Sequence, residues 1–244
     1  MFGRCSANQQ GACIAASRED CAKHQDCRSH GHCTPKDGAC VASDSDCVAT
    51  TNCSSLGHCT AVGGNCAVAK DADCAGLEDC KKRGWCSAVN GRCGIGKDSD
   101  CIGRYGCIYF AQCSAHEGEC VLGKSEDCRL SNMCSRAGDC TLDADACVPG
   151  SDDDCAKAEN CKKGGRCAMA IHTVTKRRGC FPRDPAHCRA SESCNHSGDC
   201  SLNAAKADAL CAPASDADCA QSDRCRDKGQ CSYLAATMTC AKKN

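Results

Sequence analysis

Cysteines recur at fixed intervals along the chain, and this regularity constrains the fold more than any other feature. The stretch DSDCVATTNCSSLGHCTAVGGNC, from Asp44 to Cys66, has four cysteines with gaps of five, five and six residues. The same spacing returns every 26 or 27 residues, with longer periods in the sixth and seventh repeats, and contains 32 of the 34 cysteines. Cys5 and Cys13 match the third and fourth positions of a further, partial repeat. A fixed period in this range is typical of a tandem repeat array.

The composition indicates that disulfides replace a large hydrophobic core. Cysteine makes up about 14% of the chain, whereas roughly 8–10% already marks a disulfide scaffold. Aromatic residues, which bury the most area per side chain, make up only 3%. A chain so rich in cysteine and so polar is expected in an oxidising compartment, extracellular or at the cell surface, as a mature chain or a fragment.

The repeats predict the domain organisation. Each repeat is taken to begin at its first cysteine, and the N-terminal partial repeat is expected to be a lone hairpin. The predicted boundaries are 1–20 for the N-terminal half-repeat, 21–46, 47–73, 74–100, 101–127 and 128–154 for repeats 1 to 5, 155–187 and 188–218 for repeats 6 and 7, which carry long loops, and 219–244 for repeat 8.

The residues that flank the cysteines predict one helix and one hairpin in each repeat. Serine followed three residues later by aspartate, as in Ser43–Asp46, resembles a capping box just before the first cysteine, and Asp184-Pro185 supplies another start signal. A glycine two residues before nearly every third cysteine indicates the helix end, and only Ala111 departs from it. The helix is therefore predicted to span about 11–13 residues.

Turn dipeptides predict the second half of each repeat. Asp37-Gly38 and Asn90-Gly91 lie between the third and fourth cysteines, where such pairs favour a tight hairpin. The predicted fold class is a small disulfide-rich α+β tandem repeat, an elongated array of short helix plus β-hairpin units with no single large core. The longer loops of repeats 6 and 7, residues 168–179 and 201–210, are insertions at the hairpin tip.

Disulfide connectivity is narrowed by the spacing but not settled by it. First and second cysteines lie six residues apart, which on one helix separates them by about 9 Å along the axis, too far for a disulfide. We favour bonds from second to third cysteine and from fourth to the first of the next repeat. The alternative pairs first with third and second with fourth inside each repeat, with Cys5 bonded to Cys13.

The favoured scheme assigns structural disulfides and leaves two cysteines over. Cys5 and Cys240 lack a partner in it, so we expect them to bond between molecules and join copies head to tail. Other outcomes are a Cys5–Cys13 bond, a Cys231–Cys240 bond, or a fragment of a longer array. The structural cysteines of the first repeats are Cys27, Cys33, Cys40, Cys47, Cys53, Cys59, Cys66, Cys74, Cys80, Cys86, Cys93 and Cys101.

Metal binding and catalysis are both disfavoured by the pattern. Thiolate metal sites use closely spaced cysteines, and no two cysteines here are fewer than six residues apart. Asp-x-Asp pairs such as Asp44/Asp46 suit calcium, but helix capping explains the same residues. His30 and His32 lie near Cys33, which occupies a structural position. We therefore predict no cofactor, no metal site and no enzymatic activity.

Charge and aromatic residues bear on the partners. The net charge is −1, with 30 basic and 31 acidic residues interleaved, so no nucleic-acid partner is predicted; no run of 18 apolar residues exists, so no membrane span is predicted either. Tyr105, Tyr109 and Phe110, with Trp85, are either a small local core, which we favour, or an exposed contact patch. The basic stretch Lys176-Arg177-Arg178 suits an acidic partner.

The C-x5-C-x5-C-x6-C framework, with its G-x-C and S-D-x-D-C flanks, resembles the tandem cysteine-rich repeats of predicted secreted bacterial proteins. The resemblance covers the whole chain, apart from Ala111, His187 in place of the usual aspartate, and the two long loops. It implies an extracellular setting. We predict a secreted structural or adhesive repeat protein that assembles with copies of itself into a filament; the alternative is an extracellular binding module with specificity in loops 168–179 and 201–210.

Overall fold

The predicted α+β repeat architecture is confirmed by the computed structural model, which describes residues 5–203 and 209–242. Each repeat in this part of the chain consists of two short helices and a two-stranded antiparallel hairpin. The helices are α1 (Arg18–Ala22), α2 (Gln25–His30), α3 (Asp44–Val48), α4 (Thr51–Leu56), α5 (Ala72–Ala75), α6 (Glu78–Arg83), α7 (Asp98–Cys101), α8 (Tyr105–Phe110), α9 (Ser125–Leu130), α10 (Asn132–Ala137), α11 (Asp152–Lys157), α12 (Glu159–Gly164), α13 (Pro185–Arg189), α14 (Glu192–Ser197), α15 (Asp216–Ala220) and α16 (Asp223–Lys228).

Each hairpin joins two strands that are neighbours in sequence, and a first hairpin lies before the first helix, as predicted. The fourth cysteine sits in the second strand opposite the residue two places after the third, for example Leu142 opposite Cys147. The strands are β1 (Ser6–Ala7), β2 (Cys13–Ile14), β3 (Thr34–Lys36), β4 (Ala39–Val41), β5 (Thr60–Val62), β6 (Asn65–Ala67), β7 (Ser87–Val89), β8 (Arg92–Gly94), β9 (Ser114–His116), β10 (Glu119–Val121), β11 (Thr141–Asp143), β12 (Ala146–Val148), β13 (Ala168–Ile171), β14 (Arg178–Phe181), β15 (Ser201–Asn203), β16 (Leu210–Ala212), β17 (Ser232–Leu234) and β18 (Thr239–Ala241).

The prediction of one continuous helix in each repeat was wrong, because the helical segment is broken between the first and second cysteines. In repeat 2 the break lies at Thr50, whose backbone is extended with ψ 154°. Thr50 Oγ1 donates to Cys47 O at 2.8 Å and accepts from the amide of Cys53. Ser131, Ser191 and Ser222 repeat the bond back to the first helix. In these four repeats a hydroxyl bonds the end of one helix and caps the next; the segment is also divided in the other four, where the corresponding residue is His24, Leu77, Arg104 or Ala158.

The 17 disulfides account for all 34 cysteines. Second cysteines bond third cysteines across the end of the second helix, as we favoured; Cys53–Cys59 is an example. First cysteines, however, bond the fourth cysteines of their own repeat, as in Cys47–Cys66, so fourth-to-next-first pairing was wrong. The alternative of first-to-third and second-to-fourth pairing was wrong as well.

The hairpin bonds its own repeat because it folds back over that repeat's first helix. Asp44 Oδ1 accepts from the amide of Ala61 at 2.7 Å, and Ala61 pairs with Cys66 in the hairpin register. Corresponding bonds hold Ala88 to Asp71 and Tyr233 to Asp216. The first aspartate of each Asp-x-Asp pair thus ties the hairpin to its helix.

The two terminal cysteines are engaged inside the chain, which corrects the expectation of intermolecular bonds. Cys5 bonds Cys13, and Cys240 bonds the first cysteine of its repeat, Cys219. Neither sulfur is left over for a bond to another copy. Each of the twelve cysteines named above as structural also takes part in a disulfide within the chain.

The second aspartate of each pair caps the first helix, and in four of the five described pairs it also accepts from a hydroxyl of the preceding repeat. Asp73 Oδ2 accepts from the amides of Ala69 and Lys70, and both carboxylate oxygens accept from the hydroxyl of Thr60 at 3.0 Å. Ser87 donates to Asp100 in the same way at 2.7 Å. The two aspartates of a pair therefore serve different backbone amides, which supports helix capping over calcium binding as the reason for the motif.

Repeat 7 lacks both the capping aspartate and the hydroxyl that would donate to it. The position of the capping aspartate holds His187, and the position of its hydroxyl partner holds Ala168. His187 Nδ1 is buried and has no hydrogen-bond partner within the described residues. An unsatisfied buried polar atom costs about 1–3 kcal/mol.

Restoring the pair is expected to stabilise the protein. The double substitution Ala168→Ser with His187→Asp should raise the free energy of unfolding by about 1–2 kcal/mol, since it replaces an unsatisfied nitrogen with a capping carboxylate and its hydroxyl donor. Guanidinium denaturation with the disulfides intact measures this effect. Ala168→Ser alone should give no gain, because its hydroxyl lacks the acceptor. If the double variant changes the free energy of unfolding by only the sum of the two single substitutions, the hydroxyl and the carboxylate do not interact.

The described residues divide into two compact units. One contains the described residues up to Arg104 together with Ser114–Val121, and the other contains Tyr105–Cys113 together with those from Leu122 onward. The buried hydrophobic side chains in both are mainly cysteines, and the first cysteine of every repeat is fully inaccessible to solvent. The described helices include none that is long and apolar enough to cross a membrane.

Candidate ligand-binding groove

In the second unit, the second helices of successive repeats pack side by side from α8 through α10, α12 and α14 to α16. Each of them except α8 ends at a glycine with a left-handed backbone, and the residue that follows donates its amide to a carbonyl in the first turn of the helix, as Asp139 does to Met133. This residue precedes the third cysteine. We call it the G-x-C position.

The side chain at the G-x-C position varies strongly within this one chain, although the backbone around it is constant. Where the backbone conformation is constant but the side chain differs between repeats, a repeat array can adapt its surface to a ligand. From repeat 1 to repeat 8 the residues are His32, His58, Trp85, Gln112, Asp139, Arg166, Asp199 and Gln230.

Around Asp139 and Arg166 the surface forms a groove of about 680 Å³. The hairpin of β13 and β14, which has four residue pairs and is the longest of the described hairpins, supplies His172, Arg178 and Phe181 to it. Loop 168–179, which we predicted to carry specificity, therefore lies at this groove. Of loop 201–210, Leu210 lines the groove, whereas residues 204–208 lie outside the described residues.

A second section of about 380 Å³ adjoins the first and shares Ala137, Asp139 and Asn160 with it. Tyr109, Met133 and Arg136 complete this section. We use the name repeat 5/6 groove for the two sections together. All of the residues that line them belong to the second unit.

Asp139 is the most unusual group in the repeat 5/6 groove. Its carboxylate makes no hydrogen bond or ion pair with any residue that the structure describes. Burial without a compensating donor raises the pKa of Asp139 from its ordinary value of 3.8 to about 6. A carboxylate that is desolvated and unpaired inside a cleft is typical of a functional site.

Asp199 provides a comparison for Asp139 at the same position of another repeat. It occupies the G-x-C position of repeat 7, and burial raises its pKa as well. The next repeat offers Arg224 to Asp199, which lowers that pKa and opposes the effect of burial, whereas the corresponding residue beside Asp139 is the uncharged Asn160. Among the described residues, Asp139 therefore lacks the compensating arginine that Asp199 has.

The basic groups of the groove differ in their engagement. Arg178 forms an ion pair with Asp143 at 2.8 Å, so it is held in place by its partner. Arg166 is exposed and has no ion pair with the described residues. His172 Nδ1 accepts from the amides of Val174 and Thr175, which places the ring proton on Nε2. The groove therefore presents one acid among several hydrogen-bond donors.

The aromatic residues of repeat 4 form an exposed patch, so our preference for a local core was wrong. Tyr105, Tyr109 and Phe110 are 69%, 47% and 56% exposed. The Tyr105 ring contacts the other two, tilted against Tyr109 with centroids 4.7 Å apart and edge-on to Phe110 with centroids 5.7 Å apart. Tyr109 lines the groove, so the patch continues into it. Trp85, in the other unit, is half-buried beneath the Arg83 guanidinium.

Of the other candidates, the histidines near Cys33 do not form a catalytic arrangement. Cys33 is bonded to Cys27, and His32 Nε2 lies 3.1 Å from Asn65 Oδ1. Within the described residues no group of three or more His, Cys, Asp or Glu side chains is placed to hold a metal ion. No family model, curated protein or solved structure matches this chain.

Proposed function

We propose that this chain is an extracellular binding protein that presents its ligand site, the repeat 5/6 groove, on a disulfide-stapled repeat scaffold. The observation that carries the proposal is the unpaired, desolvated Asp139 beside Arg166, His172 and Phe181 in one groove. Small numbers of convergent polar groups on a partly apolar cleft are typical of ligand sites. The number of disulfides supports an oxidising, secreted setting, in line with the secreted bacterial type that the sequence resembles.

The groove can be tested against a matched position elsewhere in the chain. The natural protein, an Arg166→Ala/Phe181→Ala variant and a His58→Ala control are immobilised and exposed to a panel of polysaccharides and peptides of graded charge. His58 holds the same G-x-C position in repeat 2. We expect the groove variant to lose at least one ligand that the natural protein and the control both retain, with an affinity loss of about tenfold or more.

A structural or adhesive role is the second candidate, and the exposed patch of Tyr105, Tyr109 and Phe110 favours it. The same experiment separates the two. If the groove variant and the control retain every ligand equally, the groove is not a binding site, and the adhesive role is the better account.

A further inference from the structure

The repeat 5/6 groove has the extent of a polymer site. Its two sections meet at Asp139 and Asn160 and run from Tyr109, on the second helix of repeat 4, to the long hairpin of repeat 6. The contributing helices α8, α10 and α12 lie side by side. A ligand that fills both sections must therefore extend across several repeats.

Aromatic rings are placed at both ends of this groove. Tyr109 lies at one end with its ring 47% exposed, and Tyr105 and Phe110 extend the same surface. Phe181 lies at the other end, with its ring centroid 6.0 Å from that of His172. Sugar rings carry apolar C–H faces that stack on exposed aromatic rings while their hydroxyls stay hydrated.

Between the rings the side chains are polar, and most of the charge is positive. Arg136, Arg166 and Arg178 line the groove, and Lys176 and Arg177 lie in the adjacent turn of the long hairpin. Against them stand Asp139, Asp143 and Glu159; Asp143 is already paired with Arg178, and Glu159 is within electrostatic reach of Arg136. Guanidinium groups bind carboxylate and sulfate groups through two parallel hydrogen bonds.

We propose that the ligand of this groove is an acidic polysaccharide, a sugar chain with carboxylate or sulfate groups. Its sugar rings stack on Tyr109 and Phe181, its acidic groups bind Arg166 and Arg136, and its hydroxyls bind Asp139 and Asn160. This inference rests on the proposed function, because it assigns a ligand class to the same groove.

An acidic peptide fits the groove less well. Peptides are bound mainly through strand addition at a sheet edge or through a groove with apolar pockets for side chains. Here the lining includes the small or polar residues Ala137, Asn160 and Gly179, and its aliphatic side chains are few, chiefly Met133 and Leu210. Asp139 and Asn160 offer acceptors and donors that match hydroxyl groups better than they match apolar side chains.

The experiment measures binding of the full chain to four polymers: heparin, polygalacturonate, neutral dextran and poly-glutamate. We expect binding to heparin, polygalacturonate or both, weakened by salt, with dextran and poly-glutamate at least tenfold weaker. Binding of heparin but not polygalacturonate would show that the groove recognises sulfate groups. Binding of polygalacturonate but not heparin would show that it recognises carboxylate groups. Arg166→Ala and Tyr109→Ala should each weaken binding about tenfold, whereas Arg189→Ala, an exposed arginine of the same unit outside the groove, should not.

Three results would overturn the inference. They are poly-glutamate binding as tightly as the polysaccharides, unchanged binding by Tyr109→Ala, and no binding of either acidic polysaccharide. If neither polysaccharide binds but the groove variant loses another ligand of the panel, the ligand class is wrong and the proposed function stands. If the groove variants lose no ligand at all, the ligand class and the proposed function are both wrong. Because the Tyr109 side chain is exposed, its removal should leave the fold intact. An unchanged melting temperature of Tyr109→Ala checks this.

Discussion

Replacing Gly198 with alanine is expected to lower the free energy of unfolding by about 3 kcal/mol, through two separate effects. The backbone of Gly198 is left-handed, with φ +81°, and an alanine there is strained by about 1 kcal/mol. An added Cβ would also lie 2.9 Å from both Asp218 O and Cys240 Sγ of the next repeat. Neither a backbone carbonyl nor a disulfide sulfur moves aside easily, which adds about 1–3 kcal/mol.

Gly229 provides the matched control for this substitution. It ends the helix of the following repeat with φ +67°, but a Cβ there would have no heavy atom within 4 Å. Gly229→Ala should therefore lower the free energy of unfolding only through backbone strain, by about 1 kcal/mol. Guanidinium denaturation with the disulfides intact compares the two variants. Equal losses would show that close approach of the next repeat contributes nothing at this position.

The glycines were predictable from the sequence as helix ends, but their contact with the next repeat was not. A Gly–x–Cys spacing indicates a left-handed backbone, since that requirement is local. The second requirement differs between repeats, because Ala111, at the same position as Gly198, accommodates a methyl group for which Gly198 has no room. Ala111 adopts φ +57° without being glycine, and its methyl group is buried against Cys128 and Cys147 of the next repeat. Only the three-dimensional stacking of repeats reveals which glycines face a neighbour.

Half of the disulfide connectivity followed from local geometry, and half did not. The bond from second to third cysteine spans a helix end, so six residues fix it. The bond from first to fourth spans 19 residues in most repeats and depends on which helix the hairpin folds over. The first aspartate of Asp-x-Asp was the available signal, because its bond 17 residues ahead holds the hairpin over its own helix. We had interpreted that residue only as part of a helix-capping or calcium-binding pair.

The groove was predictable only in part. Loop 168–179 stood out by its length, and the structure places it at the groove. Asp139, Asn160 and Arg166 were missed, because single residues between a glycine and a cysteine attract no attention in one repeat. Aligning the eight repeats with one another would have shown the variation at this position. That Asp139 lies in the same groove as Asn160, where Asp199 has Arg224 nearby, is a tertiary feature that no spacing in the chain encodes.

Asp139→Asn is expected to stabilise the protein at neutral pH, in contrast to most substitutions. Burial raises the pKa of Asp139 from 3.8 in the unfolded chain to about 6, so the folded state binds a proton more tightly. Below pH 3.8 the group is neutral in both states and has no effect. Stability is lost as the pH rises from about 4 to about 6, and above that the charged carboxylate destabilises the fold by about 2–3 kcal/mol. Asparagine keeps the shape and removes the charge.

The measurement compares free energies of unfolding at pH 7.5 and pH 3.5 for the natural protein, Asp139→Asn and Asp199→Asn. Asp139→Asn should gain about 2 kcal/mol at pH 7.5 and almost nothing at pH 3.5. Asp199→Asn should gain less, because Arg224 already compensates its charge. A gain that is the same at both pH values would contradict the role of the charge. Asp139 at neutral pH thus opposes folding without a local partner, and a ligand hydroxyl that donates to it would supply the missing hydrogen bond.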